Sequence, residues 1–325
     1  MTMDALDHRL LDEFQRDFPL VTRPFAVLGA AVGISEAEVI ARLTQLQTAG
    51  KMARVGGTVR PNTAGASTLA ALAVPEARIE AVAAVVNEEH GVNHSYLRED
   101  EWNLWFVATA PDAHGLQASL DRIAARTGLK VLSLPLLRAF NIDLGFRLTG
   151  ARAALTTDSV HDETALYPTD RPLLQIMSAG LPLVARPFAD VAATVGWTEA
   201  QVLNRLQSLS DARILTRIGV IVRHRAIGWA ANAMVVWDVA PQDMETAGRS
   251  LAALPGVTLC YLRQTVPGLW RYGLFSMIHG QSRSDALAVL DAARALPALT
   301  DTDHRVLFST RCFKQTGALL ERTAA

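Results

Sequence analysis

Residues 19–33, Pro-Leu-Val-Thr-Arg-Pro-Phe-Ala-Val-Leu-Gly-Ala-Ala-Val-Gly, recur 163 residues downstream as Pro-Leu-Val-Ala-Arg-Pro-Phe-Ala-Asp-Val-Ala-Ala-Thr-Val-Gly at 182–196. The register continues without a gap, setting Arg42-Leu43 opposite Arg205-Leu206, Arg54 opposite Arg217 and Gly56 opposite Gly219. Solenoids repeat every 20 to 50 residues or so, and a period this long marks a duplicated domain pair instead. At 325 residues and 50% hydrophobic content the chain is long enough for several compact cores.

Each half opens on a helical pattern. Leu6, Leu10, Leu11 and Phe14 share one helix face. Pro24 starts a second segment that Gly33 ends, and Ser35 with Glu38 reads as a capping box ahead of Val39–Leu46. Glycine between two apolar helices predicts a helix-turn-helix, repeated around Gly196 and Thr198. Met52–Val59 and Ile214–Val222 then read as the two-stranded wing of a winged helix. Charge argues against DNA as the target. The recognition-helix position Ser35–Gln47 holds Glu36, Glu38 and one basic residue, Arg42, and its counterpart holds only Arg205. Residues 1–62 carry seven basic and seven acidic side chains, whereas phosphate neutralisation needs an excess of Lys and Arg. No specific DNA binding is expected.

An α/β pattern follows each helix-turn-helix. In the first half Leu69–Val74, Val92–Arg98, Asn103–Ala110 and Val131–Leu137 read as strands, with Ile79–Glu89 and Ala113–Arg126 as helices. The second half gives strands at Ala233–Val239, Val257–Leu262, Tyr272–Ile278 and Arg305–Ser309 and helices at Met244–Leu254 and Asp285–Leu296. The order βαββαβ is the ferredoxin-like fold. The fold class is thus α+β, a tandem duplication of winged helix-turn-helix plus ferredoxin-like units. The boundaries are 1–62 and 63–149 for the first copy, 150–165 for a linker, and 166–228 and 229–325 for the second copy.

Other classes are poorly supported. Cys260 and Cys312 have no partners at metal spacing and read as thiols of a reducing cytoplasm. No signal peptide is evident at the N-terminus, and the apolar runs are strand-sized, so no membrane association is expected. His90 and His94 have His-x-x-x-His spacing, but Gly91 parts the predicted helix from the predicted strand between them, and Cys-x-x-Cys, Gly-x-Gly-x-x-Gly and Walker patterns do not occur, so neither a catalytic metal nor a nucleotide is expected.

Aligned at the sheets, Gly91-Val-Asn-His-Ser-Tyr-Leu-Arg98 meets Gly256-Val-Thr-Leu-Cys-Tyr-Leu-Arg263. Strand alternation sets His94, Tyr96 and Arg98 on one face, as it does Tyr261 and Arg263. Arg138 and Phe140 recur as Arg311 and Phe313. Arginines repeated within strands need anions, supplied either by a ligand or by local acids such as Glu99 and Asp100. Trp105 and Trp270 offer rings to a flat ligand or to the core. His94 beside Tyr and Arg is the leading acid, because imidazole titrates near neutrality. His279, and His224 with Arg225, are further candidates. Counted from Trp102 and Trp270, His279 falls opposite Pro111.

The layout resembles Lrp/AsnC-type regulators, twice over. The Gly-Val-x-His-x-Tyr-x-Arg element at 91–98, the following Trp-Asn-Leu-Trp-Phe, Leu134-Pro-Leu-Leu-Arg-Ala-Phe, Cys260-Tyr-Leu-Arg and Met277-Ile-His-Gly are similar to a narrower branch, the siroheme decarboxylases of haem d1 and alternative haem biosynthesis. One departure is Asn141 where members carry lysine, a residue the second half keeps as Lys314. The resemblance implies two related subunits fused in one chain. It implies loss of two acetate carboxyls of siroheme, leaving methyl groups, without an added cofactor, the iron entering with the substrate. In that reading His94, His279 and Tyr96 serve catalysis. Arg98, Arg138, Tyr261, Arg263, Arg311, Lys314, Trp105, Trp270, His224 and Arg225 bind substrate, and a homodimer is possible. A small-effector transcription regulator and a non-catalytic tetrapyrrole carrier are the alternatives.

Overall fold

The computed structural model describes residues 3–141 and 162–321, so most of the linker expected at 150–165 lies outside the described residues. In the first copy α1 (Ala5–Glu13), α2 (Pro24–Val32) and α3 (Glu36–Thr48) form the three-helix layer, followed by β1 (Met52–Val59). Pro24 opens α2, and Gly33 at φ +84° closes it in the left-handed conformation that glycine adopts without strain. The Ser35 hydroxyl accepts from the Glu38 amide, but the Glu38 carboxylate turns to Arg42, so only half of the capping box forms. Then come β2 (Ala66–Leu72), α4 (Ile79–Glu88), β3 (Val92–Arg98), β4 (Leu104–Ala110), α5 (Ala113–Thr127) and β5 (Leu132–Asn141).

The second copy repeats the sequence of elements. Its helical layer is α6 (Arg171–Ala179), α7 (Pro187–Val195) and α8 (Glu199–Asp211), followed by β6 (Leu215–Val222). Here the capping box is complete between Thr198 and Gln201. The α/β part is β7 (Ala231–Trp237), α9 (Met244–Ala253), β8 (Val257–Arg263), β9 (Leu274–Gly280), α10 (Arg283–Arg294) and β10 (His304–Gln315). Among the described residues no single helix is long and apolar enough to cross a membrane.

The expected hairpin wings do not form. Each copy supplies one strand, and β1 pairs antiparallel with β6 about Gly56 and Gly219. A side chain on Gly56 would run into the Met177 carbonyl, and one on Gly219 into the Gln15 carbonyl. The repeated glycine therefore lets the helical layer sit directly on the strands where the halves cross. A single apolar cluster, with Leu10, Phe25 and Leu43 of one copy and Leu173, Phe188 and Leu206 of the other, spans both helix-turn-helices.

The two α/β units are also sewn together. Their strands close into one eight-stranded barrel in the order β10-β3-β4-β2-β5-β8-β9-β7. The last strand of each unit runs longer than the sequence predicts because it serves both sheets. β5 pairs with β2 through Pro135 and with β8 from Leu136, while β10 pairs with β7 through Phe308 and with β3 from Ser309. Phe140 crosses into the second unit's helix-covered core, where Gly248 leaves room for its ring. Phe313 packs reciprocally against the first unit's core.

Candidate active site at the barrel seam

Cross-strand pairing of Tyr96 with Trp105 and of Asn232 with His279 sets these side chains on the interior face of the barrel. Arg98 of β3 reaches over β10. Its Nη1 donates to the Leu307 carbonyl at 3.0 Å and to Asn232 Oδ1 at 3.1 Å. The Asn232 amide is thereby oriented, and its Nδ2 lies 2.6 Å from His279 Nε2. With Nε2 accepting, the His279 proton sits on Nδ1 and donates to Thr258 Oγ1 at 2.8 Å, and Thr258 donates in turn to the Met277 carbonyl at 3.0 Å. His279 is thus held neutral with both nitrogens engaged.

His224 and Arg225 follow β6 and enter from the helical layer. The His224 ring lies 6.0 Å from that of His279, and Arg225 donates to the carbonyl of Ser309, the β10 residue that pairs with Arg98. Down β3 the Arg98 guanidinium lies 5.5 Å over the Tyr96 ring, and Tyr96 stacks on His94 at 6.4 Å. His94 donates from Nδ1 to Asn93 Oδ1 at 2.8 Å. Its Nε2 makes no hydrogen bond among the described residues and is open.

Burial and positive neighbours push all three histidines in one direction. His94 falls to about 4, chiefly by burial and then by the Arg54 charge. His279 falls to about 4 by burial, Arg98 and Arg225. His224 falls to about 3 by burial, His279 and Arg217. Burial also lowers Arg98 to about 10 and raises the Tyr96 phenol. The local acids are committed elsewhere, Glu99 to Arg283 and Asp100 to Arg305. What remains is a barrel face of neutral imidazoles and of guanidinium groups without a described carboxylate partner, suited to a polyanion. Among the described residues no three His, Cys, Asp or Glu side chains gather at metal-binding range.

The other half does not copy this chemistry. Tyr261 and Arg263 are arranged alike, with the guanidinium 5.1 Å over the ring and donating to the Leu134 carbonyl at 3.0 Å, the counterpart of Arg98 on Leu307. The positions around them differ. Leu259 stands for His94, and the cross-strand pair Ser67–Thr109 stands for Asn232–His279. The strands put His279 opposite Thr109, not Pro111, because the segment from Trp270 to Leu274 is two residues longer than that from Trp102 to Leu104. In the repeat, Pro61 and Asn62 stand for His224 and Arg225.

Five expected ligand contacts are not part of either face. Arg138 pairs with Glu245 of α9 at 2.6 Å and Arg311 with Glu80 of α4, matched ion pairs between the seam strands and the outer helices. Lys314 donates to the carbonyls of Asn87 at 2.7 Å and Glu89 at 3.3 Å, finishing the end of α4. Trp105 and Trp270 are 1% and 3% exposed and meet edge to face at 5.3 Å in the barrel core, so their rings have no free face. Asn232 and Thr258 were invisible as site residues, since nothing in their local sequence marks them.

The fold and the sequence have known relatives. The AsnC-like ligand binding domain matches residues 64–141 and 226–314, and the siroheme decarboxylase NirDL-like HTH domain matches 7–52 and 170–215. The siroheme decarboxylase NirDL subunit of Paracoccus pantotrophus is 60% identical over 326 residues, covering 100% of both chains. The separate NirD subunit of Stutzerimonas stutzeri is 52% identical over 148 residues, covering 46% of this chain and 97% of its own. A crystal structure of siroheme decarboxylase NirDL in complex with an iron-uroporphyrin III analogue superposes with TM-score 0.68 at 29% identity, covering 97% of this chain and 94% of that one. With full-length similarity, both domain types present twice and the same architecture, the chain belongs to the siroheme decarboxylase NirDL family.

Proposed function

We propose that this chain decarboxylates siroheme, converting two acetate side chains to methyl groups, and that it does so mainly at the seam bearing His94. The observation that carries this reading is the convergence of Arg98, Arg225 and three histidines from both halves on one barrel face, where among the described residues no carboxylate pairs with either arginine. Siroheme is a planar polycarboxylate, and a cationic, partly desolvated wall fits it.

The chemistry requires an electron sink. A carboxylate lost directly from a pyrrole acetate would leave an unstabilised carbanion. Protonation of the ring carbon bearing the side chain supplies the sink. Carbon dioxide then leaves with its bonding electrons flowing into the ring, giving an exocyclic methylene. That carbon takes a proton, the ring carbon returns its own, and the net change is one proton in and one carbon dioxide out per acetate.

His94 is the better acid of the two leading histidines. Its Nδ1 is anchored on Asn93 and its Nε2 is open, so it accepts a proton without breaking a contact. Nε2 of His279 is occupied by Asn232, whose amide Arg98 holds in place. His279 is therefore assigned to positioning Arg98 and to shaping the site. Binding of substrate carboxylates offsets the positive field of Arg54 and Arg98, which restores basicity to the imidazoles when the acid is needed. Tyr96 orients the substrate from between His94 and Arg98. No added cofactor enters this scheme, the substrate's own iron apart.

The second face, with Tyr261 and Arg263 but without histidines, is the weaker site or an inactive remnant. DNA has no role in this reading, since Arg42 is tied to Asp4, Asp7 and Glu38, and Arg205 to Asp170. The free thiols Cys260 and Cys312 suit a reducing compartment such as the cytoplasm. Anaerobic incubation with siroheme followed by mass measurement tests the proposal. Loss of two carbon dioxide units supports it; siroheme bound but unchanged favours a carrier, and no binding removes both.

A further inference from the structure

The arginines of the helical layer differ in what they meet. Arg9, Arg23, Arg42, Arg186 and Arg205 all pair with carboxylates. Arg54 of β1 pairs with none among the described residues. Its Nε is sealed from solvent without a hydrogen-bond partner, while its terminal nitrogens are open. Burial of the stem lowers its pKa with no anion to oppose the shift. A guanidinium held in this way is costly unless something negative meets it.

The chain path places it beside His94. Gln315, at the end of β10, pairs with His94. The next residue, Thr316, donates its amide to the Asn93 carbonyl at 2.7 Å, and Gly317 lies so close to Ser178 at the end of α6 that a side chain would not fit. Two residues beyond Ser178, Gly180 takes φ +123° beneath Arg54, where an added Cβ would stand 2.9 Å from the arginine Cβ and 3.3 Å from its Cδ. The end of α6 thus carries the strand end of the His94 site on one side and the Arg54 stem on the other. The field of Arg54 is felt at the His94 imidazole.

We propose that Arg54 is a further substrate-binding residue, which holds a peripheral carboxylate of the tetrapyrrole at the His94 end of the site. The inference rests on the siroheme reading and gives the helix-turn-helix layer a task, that of forming one wall of the active site. Gly180 belongs to the same device, because any side chain there would displace the Arg54 stem. The repeat counterpart Arg217 lines a cleft with Arg16 and Asp17.

The test compares the full-length chain with Arg54→Met and Arg54→Lys by anaerobic siroheme titration and steady-state kinetics. Arg54→Met should fold with an unchanged circular dichroism spectrum, bind siroheme about 10- to 100-fold more weakly, the scale of a lost charge-assisted hydrogen bond, and raise KM more than it lowers kcat. Arg54→Lys, keeping the charge but not the fork, should recover part of the loss. Wild-type affinity and KM in Arg54→Met overturn the proposal while leaving the decarboxylase reading intact. Should Arg54→Met not fold, Arg54→Lys with wild-type KM overturns it equally. A parent protein that neither binds nor converts siroheme overturns the functional reading and this inference together.

Discussion

Arg98 and His279, contributed by different halves of the chain, are joined through the single amide of Asn232, which accepts from the first at 3.1 Å and meets the second at 2.6 Å. Each half on its own would lack part of this link. Fusion of two related units has therefore produced one composite site and left its pseudo-symmetric counterpart with Ser67 and Thr109.

The link fixes a tautomer. Nitrogen-15 spectra at pH 7 should show His279 neutral with its proton on Nδ1. Asn232→Leu, close in shape but without the amide, should release Nε2 and leave Arg98 with one acceptor fewer. Substrate affinity should fall by about tenfold, the scale of a hydrogen bond to a charged group. A His279 spectrum unaffected by Asn232→Leu would contradict the arrangement.

Acid sensitivity follows from the depressed histidines. His94 and His279 sit at about 4 and His224 at about 3 in the folded protein, below the ordinary value of 6.5. The unfolded chain therefore binds more protons as pH falls below 6.5, and the stability these groups contribute is present above 6.5 and is lost on the way to about 4. The urea midpoint of the substrate-free protein should decline between pH 6.5 and 5, above the range where carboxylates titrate. His279→Gln should flatten that decline, and a midpoint constant over the interval would count against it.

Arg98 should prove structural as well as functional. It is 6% exposed and spans the seam to Leu307 and Asn232, so Arg98→Met removes a charged donor from both acceptors. The expected loss is about 1–3 kcal/mol of stability in addition to weaker siroheme binding. Arg263→Met should cost comparable stability through Leu134 but much less turnover. Equal effects of the two substitutions on turnover would show that both faces work.

Neither helix-turn-helix should shift duplex DNA below roughly micromolar protein at physiological salt, where non-specific binders begin to associate. The only arginine of each recognition helix is consumed by carboxylates of its own copy. Nanomolar binding to an operator-like duplex would refute this.

Much of the fold was legible because it is local. Pro24, Gly33 and Ser35 punctuate two helices, and the period switch at Met52 marks the change to strands. The pairing between halves was not legible. Whether β1 folds back as a hairpin or crosses to β6 depends on partners 163 residues away, and only the repeated Gly56 and Gly219 hinted at a close approach. The site divided along the same line. His94, Tyr96 and Arg98 lie on one strand and announced themselves by alternation, whereas Asn232 and Thr258 matter only through His279. Arg138 and Arg311 repeat as matched ion pairs to Glu245 and Glu80, which alternation alone cannot distinguish from a ligand clamp.

The central claim, that His94 supplies the proton at the composite site, is tested most directly by anaerobic single-turnover decarboxylation in His94→Ala with siroheme already bound. The variant should bind siroheme and lose about 10²–10⁴ in rate, the usual worth of one general acid. Undiminished loss of both carboxyl groups would contradict the claim and assign the acid elsewhere, with His279 the next residue to replace.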